Sequence, residues 1–187
     1  MAITPLDANT ALVIIDLQKG LASYPTAHSI DDVARHASEL AAAFRRHHLP
    51  VVLVNVDGGA PGRTQSPVGA GKRPADWLEF MAALDHRPQD HVVTKKTWGA
   101  FTNTGLEAHL KRLQVTQIVL AGVATSIGVE STARQAHELG FHVALAVDAM
   151  TDLSLDAHNN SVTRIFPRLG ENATTHEFLE LLKKRFE

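Results

Sequence analysis

The chain has 187 residues, 44% hydrophobic and 20% charged. These are ordinary globular proportions, enough for one domain with a sizeable core. Lys+Arg 18 against Asp+Glu 20 leaves a formal charge of -2, which argues against a general electrostatic footprint for nucleic acid or an anionic membrane. The absence of cysteine excludes disulfides, thiolate metal sites and thiol nucleophiles.

The N-terminal stretch MAITPLDANTALVIID lacks a basic region followed by a signal-length apolar run. The longest apolar runs are of strand length, far short of a membrane span, so a cytoplasmic protein is expected. The first strand is read at residues 11–16 (ALVIID). A helix follows over 30–48, where Val33, Ala37, Leu40, Ala41 and Phe44 recur on one face. The second strand is 51–56 (VVLVNV). Residues 57–74 (DGGAPGRTQSPVGAGKRP) are rich in Gly and Pro and too long for a plain connector. Loops of this size are usually lids, binding loops or disordered segments.

The third strand is read at 91–95 (HVVTK), with a helix over 104–113 opened by a Thr104/Glu107 capping box. The fourth strand, 117–122 (QIVLAG), runs through a tight turn into a helix over 126–139, with Gly140 as its C′ residue. A fifth strand at 142–147 (HVALAV) and a helix over 155–169 come next. A short sixth strand within 171–176 and a helix over 176–186, behind a Thr174/Glu177 capping pair, complete the chain. Continuous Val- and Ile-rich runs predict strands covered on both faces, hence a parallel sheet. Their alternation with helices predicts a single α/β domain over 1–187. Its architecture is a three-layer α/β/α sandwich around a doubly wound, mainly parallel six-stranded sheet of order 3-2-1-4-5-6.

Ligands of such sheets bind beyond the C-terminal strand ends, near the switch in strand order. That order places Asp16, the 123–128 turn and the end of strand three around one crevice. Asp16 is either a turn cap or a carboxylate with an altered pKa. Of Lys95 and Lys96, alternation sends at most one into the crevice. The turn opens a helix N-terminus, whose N–H groups favour anions. Ser126 lies there, but no G-x-S-x-G elbow surrounds it. A dinucleotide fingerprint, a Walker A sequence and paired metal-ligand spacings are also missing.

Together these residues resemble the isochorismatase-like hydrolase superfamily over nearly the whole chain. ALVIIDLQKG resembles its first strand, VVTKKTWGAFTNTGLEAHL its lysine segment, and VLAGVATSIGVESTARQAHELGFHVALAVDAMTD its most recognisable block. The resemblance implies that Asp16 and Lys95 are catalytic and that Gln18, Val123 and Ala124 contribute to substrate binding. It also implies a non-proline cis peptide at Val123–Ala124, which would aim N–H groups into the pocket.

Most members are cysteine hydrolases whose nucleophile falls where this chain has Gly128, and glycine cannot form an acyl-enzyme. True isochorismatases are similar in carrying Gly there. They split a vinyl ether without a metal. Gly128 is therefore the discriminating catalytic position. The D-x-H metal motif of nicotinamidases is absent after strand two, where NVDGGAPG stands, so no metal or other cofactor is expected. Gly99-Ala100-Phe101 replaces the usual Ser-Ala-Phe.

The implied reaction is C–O hydrolysis of isochorismate or a related small anionic substrate. Two alternatives stand beside it: a catalytically silent relative that binds a small acid, and a non-covalent hydrolase of another substrate. Asp16 as general acid needs a raised pKa, which a charged Lys95 opposes. An anionic substrate that engages Lys95 would relieve that conflict. Arg63 is the candidate for a second substrate carboxylate, and Trp98 and Phe101 for an apolar wall. Neither nucleic acid nor membrane is an expected partner. The resemblance implies a homodimer or homotetramer.

Overall fold

A computed structural model describes residues 3–65 and 73–186. The strands are β1 (Thr10–Ile15), β2 (Val51–Val56), β3 (His91–Lys95), β4 (Gln117–Val123), β5 (His142–Thr151) and β6 (Glu171–Ala173). They form one sheet in the order β3-β2-β1-β4-β5-β6, and every neighbouring pair is parallel. The helices are α1 (Lys19–Ala22), α2 (Ile30–Arg46), α3 (Leu106–Arg112), α4 (Glu130–Glu138), α5 (Leu155–Asn160) and α6 (Thr175–Phe186). Among the described residues, no helix is long and apolar enough to cross a membrane.

All six residues of β1 are buried, because the strand is covered on both faces. Leu12 and Ile14 face one layer, packed with Leu40 and Phe44 of α2 and Phe178 and Leu182 of α6. Ala11, Val13 and Ile15 face the other, packed with Leu106 and Leu110 of α3 and Ala133 and Ala136 of α4. This two-sided burial is why the strand reads as an uninterrupted apolar run.

Local signals hold the helix ends where the chain turns back. Ser29 caps α2 by accepting from Asp32 N at 3.3 Å. Thr174 and Glu177 form the expected reciprocal pair ahead of α6. Thr174 N donates to Glu177 Oε2 at 2.7 Å, and Glu177 N to Thr174 Oγ1 at 3.3 Å. Gly140, at φ 86, closes α4, with Phe141 N donating to Ala136 O at 3.0 Å.

Several elements depart from the sequence reading. Glu107 does not cap α3; it pairs with Lys111 at 2.5 Å, and Thr104 accepts from Leu106 N alone. The segment read as one helix over 155–169 is α5, then a π-helical stretch Ser161–Ile165, then a 3₁₀ turn Phe166–Arg168. Pro167 cannot donate to the carbonyl four residues back, so the α ladder gives way. The fifth strand continues to Thr151 because Met150 and Thr151 pair with Gly122 and Val123 after a register shift. The sixth strand ends at Ala173, since Thr174 turns to cap α6. Of the long loop, residues 66–72 lie outside the described residues.

The sheet centre sets up the site. Ile15 pairs with Gly122 and Val56 with Lys95, so β1, β3 and β4 end at one rim. Gly122 has φ 117, and a Cβ there would lie 1.9 Å from Ile15 O. Only glycine lets β4 pass so close to β1 at the rim.

Candidate active site

The chain leaves β1 through Asp16, whose φ of 55 is left-handed, a conformation that Asp tolerates better than most residues. Simple alternation would send Asp16 to the face of Leu12 and Ile14. The left-handed residue breaks that alternation. The carboxylate instead meets Lys95, which shares its strand face with buried Val93. Lys95 Nζ donates to Asp16 Oδ2 at 2.7 Å and to Thr97 O at 3.1 Å. The pair is deeply buried, Lys95 2% and Asp16 5% exposed, whereas Lys96 is exposed. Alternation thus selected one lysine, as expected.

Burial decides the carboxyl's ionisation. It pushes the Asp16 pKa from 3.8 up to about 6, against the lowering charge and hydrogen bond of Lys95. The conflict expected from the sequence is settled without a substrate, because losing solvent outweighs gaining one cation. Asp16 Oδ1 is buried and has no hydrogen-bond partner among the described residues. A buried polar atom without a partner is costly, and this one belongs to the group best suited to hand on a proton.

The third arm is the turn after β4. The Val123–Ala124 peptide is cis, as the resemblance implied. The expected helix start at 126 is instead a π-helical turn, Thr125–Val129, that runs into α4. Ala124 O accepts from both Ile127 N and Val129 N at 3.1 Å, which widens the turn and seats Gly128 inward, fully buried. A Cβ on Gly128 would lie 3.1 Å from Ile15 Cγ2, 3.2 Å from Val123 O and 3.3 Å from Asp16 Oδ2. The space at Gly128 beside the Asp16 carboxyl is therefore tighter than a side chain would comfortably allow.

Side chains that the sequence reading did not single out hold this turn. Asp152 Oδ2 accepts from Ser126 N at 2.7 Å and from Ser126 Oγ at 2.8 Å. Ser126 is thus tied up as an anchor, in keeping with its rejection as a nucleophile. Thr125 Oγ1 and His158 Nδ1 share a hydrogen bond at 2.9 Å. Burial, and secondarily the His28 ring 4.7 Å away, hold the His158 pKa below its ordinary value, while Asp152 works against them. Thr132 Oγ1 donates to Gly128 O at 2.7 Å.

The remaining predicted residues separate. Gln18 is buried beside the rim. Its Nε2 donates to Trp77 O at 2.8 Å and to Val56 O at 3.3 Å, and its Oε1 accepts from Val56 N at 2.7 Å. Both ends of the amide are spent on backbone, so Gln18 ties β1 to β2 and to the returning loop rather than facing a ligand. Phe101 stacks on Phe141 with centroids 5.9 Å apart and packs at the edge of the α4-side core, while Trp98 is 56% exposed. Arg63 is exposed on its loop, and the charge acting on Asp16 is that of Lys95.

Gly99 has a packing reason. A Cβ there would lie 2.2 Å from Gln135 Oε1. Gln135 uses the space to accept from Phe101 N at 3.2 Å and to donate to Thr102 Oγ1 at 2.6 Å. Two surface grooves, of about 440 and 360 Å³, lie elsewhere, one beside Phe80 and Val92 and the other between α2 and α6. Neither includes Asp16, Lys95 or Gly128.

The comparisons agree with this geometry. The isochorismatase-like protein YwoC of Bacillus subtilis (strain 168), an isochorismatase family protein by name, is 44% identical over 181 residues, 93% of this chain and 94% of YwoC. YecD of Escherichia coli O157:H7, named for the same family, is 41% identical over 92% of this chain and 96% of its own. The structure of an isochorismatase family protein from Burkholderia thailandensis superposes with a TM-score of 0.93 at 40% identity, covering 97% of this chain and 100% of that one. Residues 10–177 match the isochorismatase domain, and the chain belongs to the isochorismatase family of hydrolases.

Proposed function

We propose that this protein hydrolyses the vinyl-ether C–O bond of isochorismate, or of a closely related small anionic substrate, by acid catalysis without a covalent intermediate. The observation that carries this reading is Asp16 itself. It is a buried carboxyl with a raised pKa, one oxygen held by Lys95, the other without a partner among the described residues, and a glycine rather than a nucleophile beside it.

The protonated Asp16 carboxyl gives its proton to the terminal CH₂ carbon of the enolpyruvyl group. That carbon becomes a methyl group, and the adjacent carbon an oxocarbenium ion. Water adds there, and its surplus proton returns to Asp16. The resulting hemiketal then breaks its C–O bond, releasing pyruvate and a dihydroxy-cyclohexadiene carboxylate. Lys95, 2.7 Å from Oδ2, stabilises the carboxylate that forms as the proton leaves. A pKa of about 6 leaves about a tenth of the molecules protonated at pH 7. Arg63, exposed on its loop, is the proposed partner of a substrate carboxylate.

The test is a coupled assay for pyruvate release from isochorismate. The wild-type protein is expected to turn over, and Asp16→Asn to lose about a hundredfold or more in kcat. Wild-type protein that binds small carboxylic acids but releases no pyruvate would instead indicate a silent relative and overturn the proposal.

A further inference from the structure

Thr132 lies on the first full turn of α4 and is completely buried. Its hydroxyl serves two backbone groups from different parts of the chain. It donates to Gly128 O at 2.7 Å and accepts from Ala100 N at 3.1 Å. Gly128 O is four residues back in the same helical run, which is an unremarkable bond for a helical threonine. Ala100 belongs to the segment that follows Lys95, and that second bond has no helical reason to exist.

The two bonds extend a chain of hydrogen bonds that starts at Asp16. Asp16 Oδ2 receives Lys95 Nζ, and Lys95 Nζ also donates to Thr97 O. Thr97 Oγ1 donates to Gly99 O at 3.1 Å, which folds the 97–99 stretch on itself. Ala100 N then reaches Thr132 and Thr132 reaches Gly128, beside which Asp16 Oδ2 lies close enough that an added Cβ would be 3.3 Å from it. One hydroxyl thereby ties the segment that follows Lys95 to the turn that carries Gly128.

We propose that Thr132 is a positioning residue for the Asp16–Lys95 pair: its hydroxyl fixes the segment carrying Thr97 O, and so the placement of the Lys95 ammonium against the carboxyl. As a role in catalysis this rests on the proposed acid-catalysed reaction; as a role in setting Asp16 ionisation it does not. Among the described residues, Lys95 on β3 is the charged group that acts on Asp16. The β2 neighbour Val54 offers Asp16 only its carbonyl, at 2.8 Å, and the 125–129 turn brings the uncharged Gly128. Freeing the 97–100 segment lets the ammonium withdraw, and the opposition to burial weakens.

The experiment follows the Asp16 carboxyl by ¹³C NMR titration, without substrate, in wild type, Thr132→Val and Thr132→Ser. Valine keeps the shape and removes the hydroxyl; serine keeps the hydroxyl. The expected result is an Asp16 midpoint raised by about half a pH unit or more in Thr132→Val, and wild-type behaviour in Thr132→Ser. On isochorismate, Thr132→Val is expected to lose about tenfold in kcat with little change in KM. A Thr132→Val protein with lowered Tm and an unmoved Asp16 midpoint would overturn the proposal, whatever the substrate proves to be. If Thr132→Val does not fold, amide exchange of the wild-type protein decides. Ala100 N–H is expected to exchange as slowly as the β4 amides, and exchange at the rate of an exposed loop would overturn the proposal.

Discussion

Asp16 should make the protein less stable as pH rises through the mildly acidic range. The sign follows from its proton. Between 3.8, its ordinary value, and about 6, its value in the fold, the native state keeps the proton and the unfolded chain has lost it. Stability attached to that proton is fully present below about pH 4 and is lost as pH rises through about 6. The gap of roughly two units, at about 1.4 kcal/mol each, amounts to about 3 kcal/mol. Asp16→Asn has no such ionisation, so its contribution is constant. It carries a separate penalty at every pH, because Lys95 is left buried without its counter-charge. Urea unfolding of both proteins from pH 4 to pH 7.5 should show the difference in their stabilities moving by about 3 kcal/mol in favour of the variant. A ¹³C titration of Asp16 should place its midpoint near 6. A midpoint at or below 3.8, or identical pH slopes for the two proteins, would refute the dominance of burial over Lys95.

Three further substitutions probe the same rim. Lys95→Met removes the group that opposes burial, so the Asp16 midpoint should rise by about one unit or more; an unchanged midpoint would show that Lys95 has little hold on the carboxyl. Gly128→Ala adds a Cβ at 3.1–3.3 Å from Ile15, Val123 O and Asp16 Oδ2. Overpacking should cost about 1–3 kcal/mol, against a helix-propensity gain of about 1, so urea unfolding should show a net loss; a more stable variant would mean that the turn yields freely. Gly122→Ala forces a Cβ to 1.9 Å from Ile15 O at φ 117. It should lower Tm far more than Gly128→Ala, and a Tm within a degree or two of wild type would contradict the close β1–β4 approach.

The sheet was legible because its strands are buried on both faces. An uninterrupted run such as ALVIID has no amphipathic alternation, and helical patterns follow the first, third, fourth and fifth runs. The order β3-β2-β1-β4-β5-β6 brought Asp16, Lys95 and Gly128 together as the sequence predicted. Alternation limited the inward-facing lysine to one of Lys95 and Lys96, and the resemblance pointed to Lys95.

What was not legible depends on contacts between residues distant in sequence. Thr132 and Gln135 read as ordinary polar positions on α4, because their partners Ala100 and Phe101 come from another segment. Asp152 sits beyond the predicted end of strand five, and its bonds to Ser126 exist only after Gly122 shifts the β4–β5 register. Gln18 has the right place for a ligand contact, two residues past Asp16. The backbone of Val56 and Trp77 claims its amide first, and nothing in the local sequence announces Trp77 as a neighbour. The signal available for Gly122 was the glycine itself, at a strand end, where the close approach of the Ile15 backbone requires it.

The most direct test of the account is the pH dependence of kcat/KM for isochorismate, since that ratio reports ionisations of the free enzyme. Acid catalysis by Asp16 predicts a kcat/KM that falls above about pH 6, tenfold per pH unit, with the same midpoint as the Asp16 carboxyl by NMR. A kcat/KM that stays flat or rises from pH 5.5 to pH 8 would contradict it.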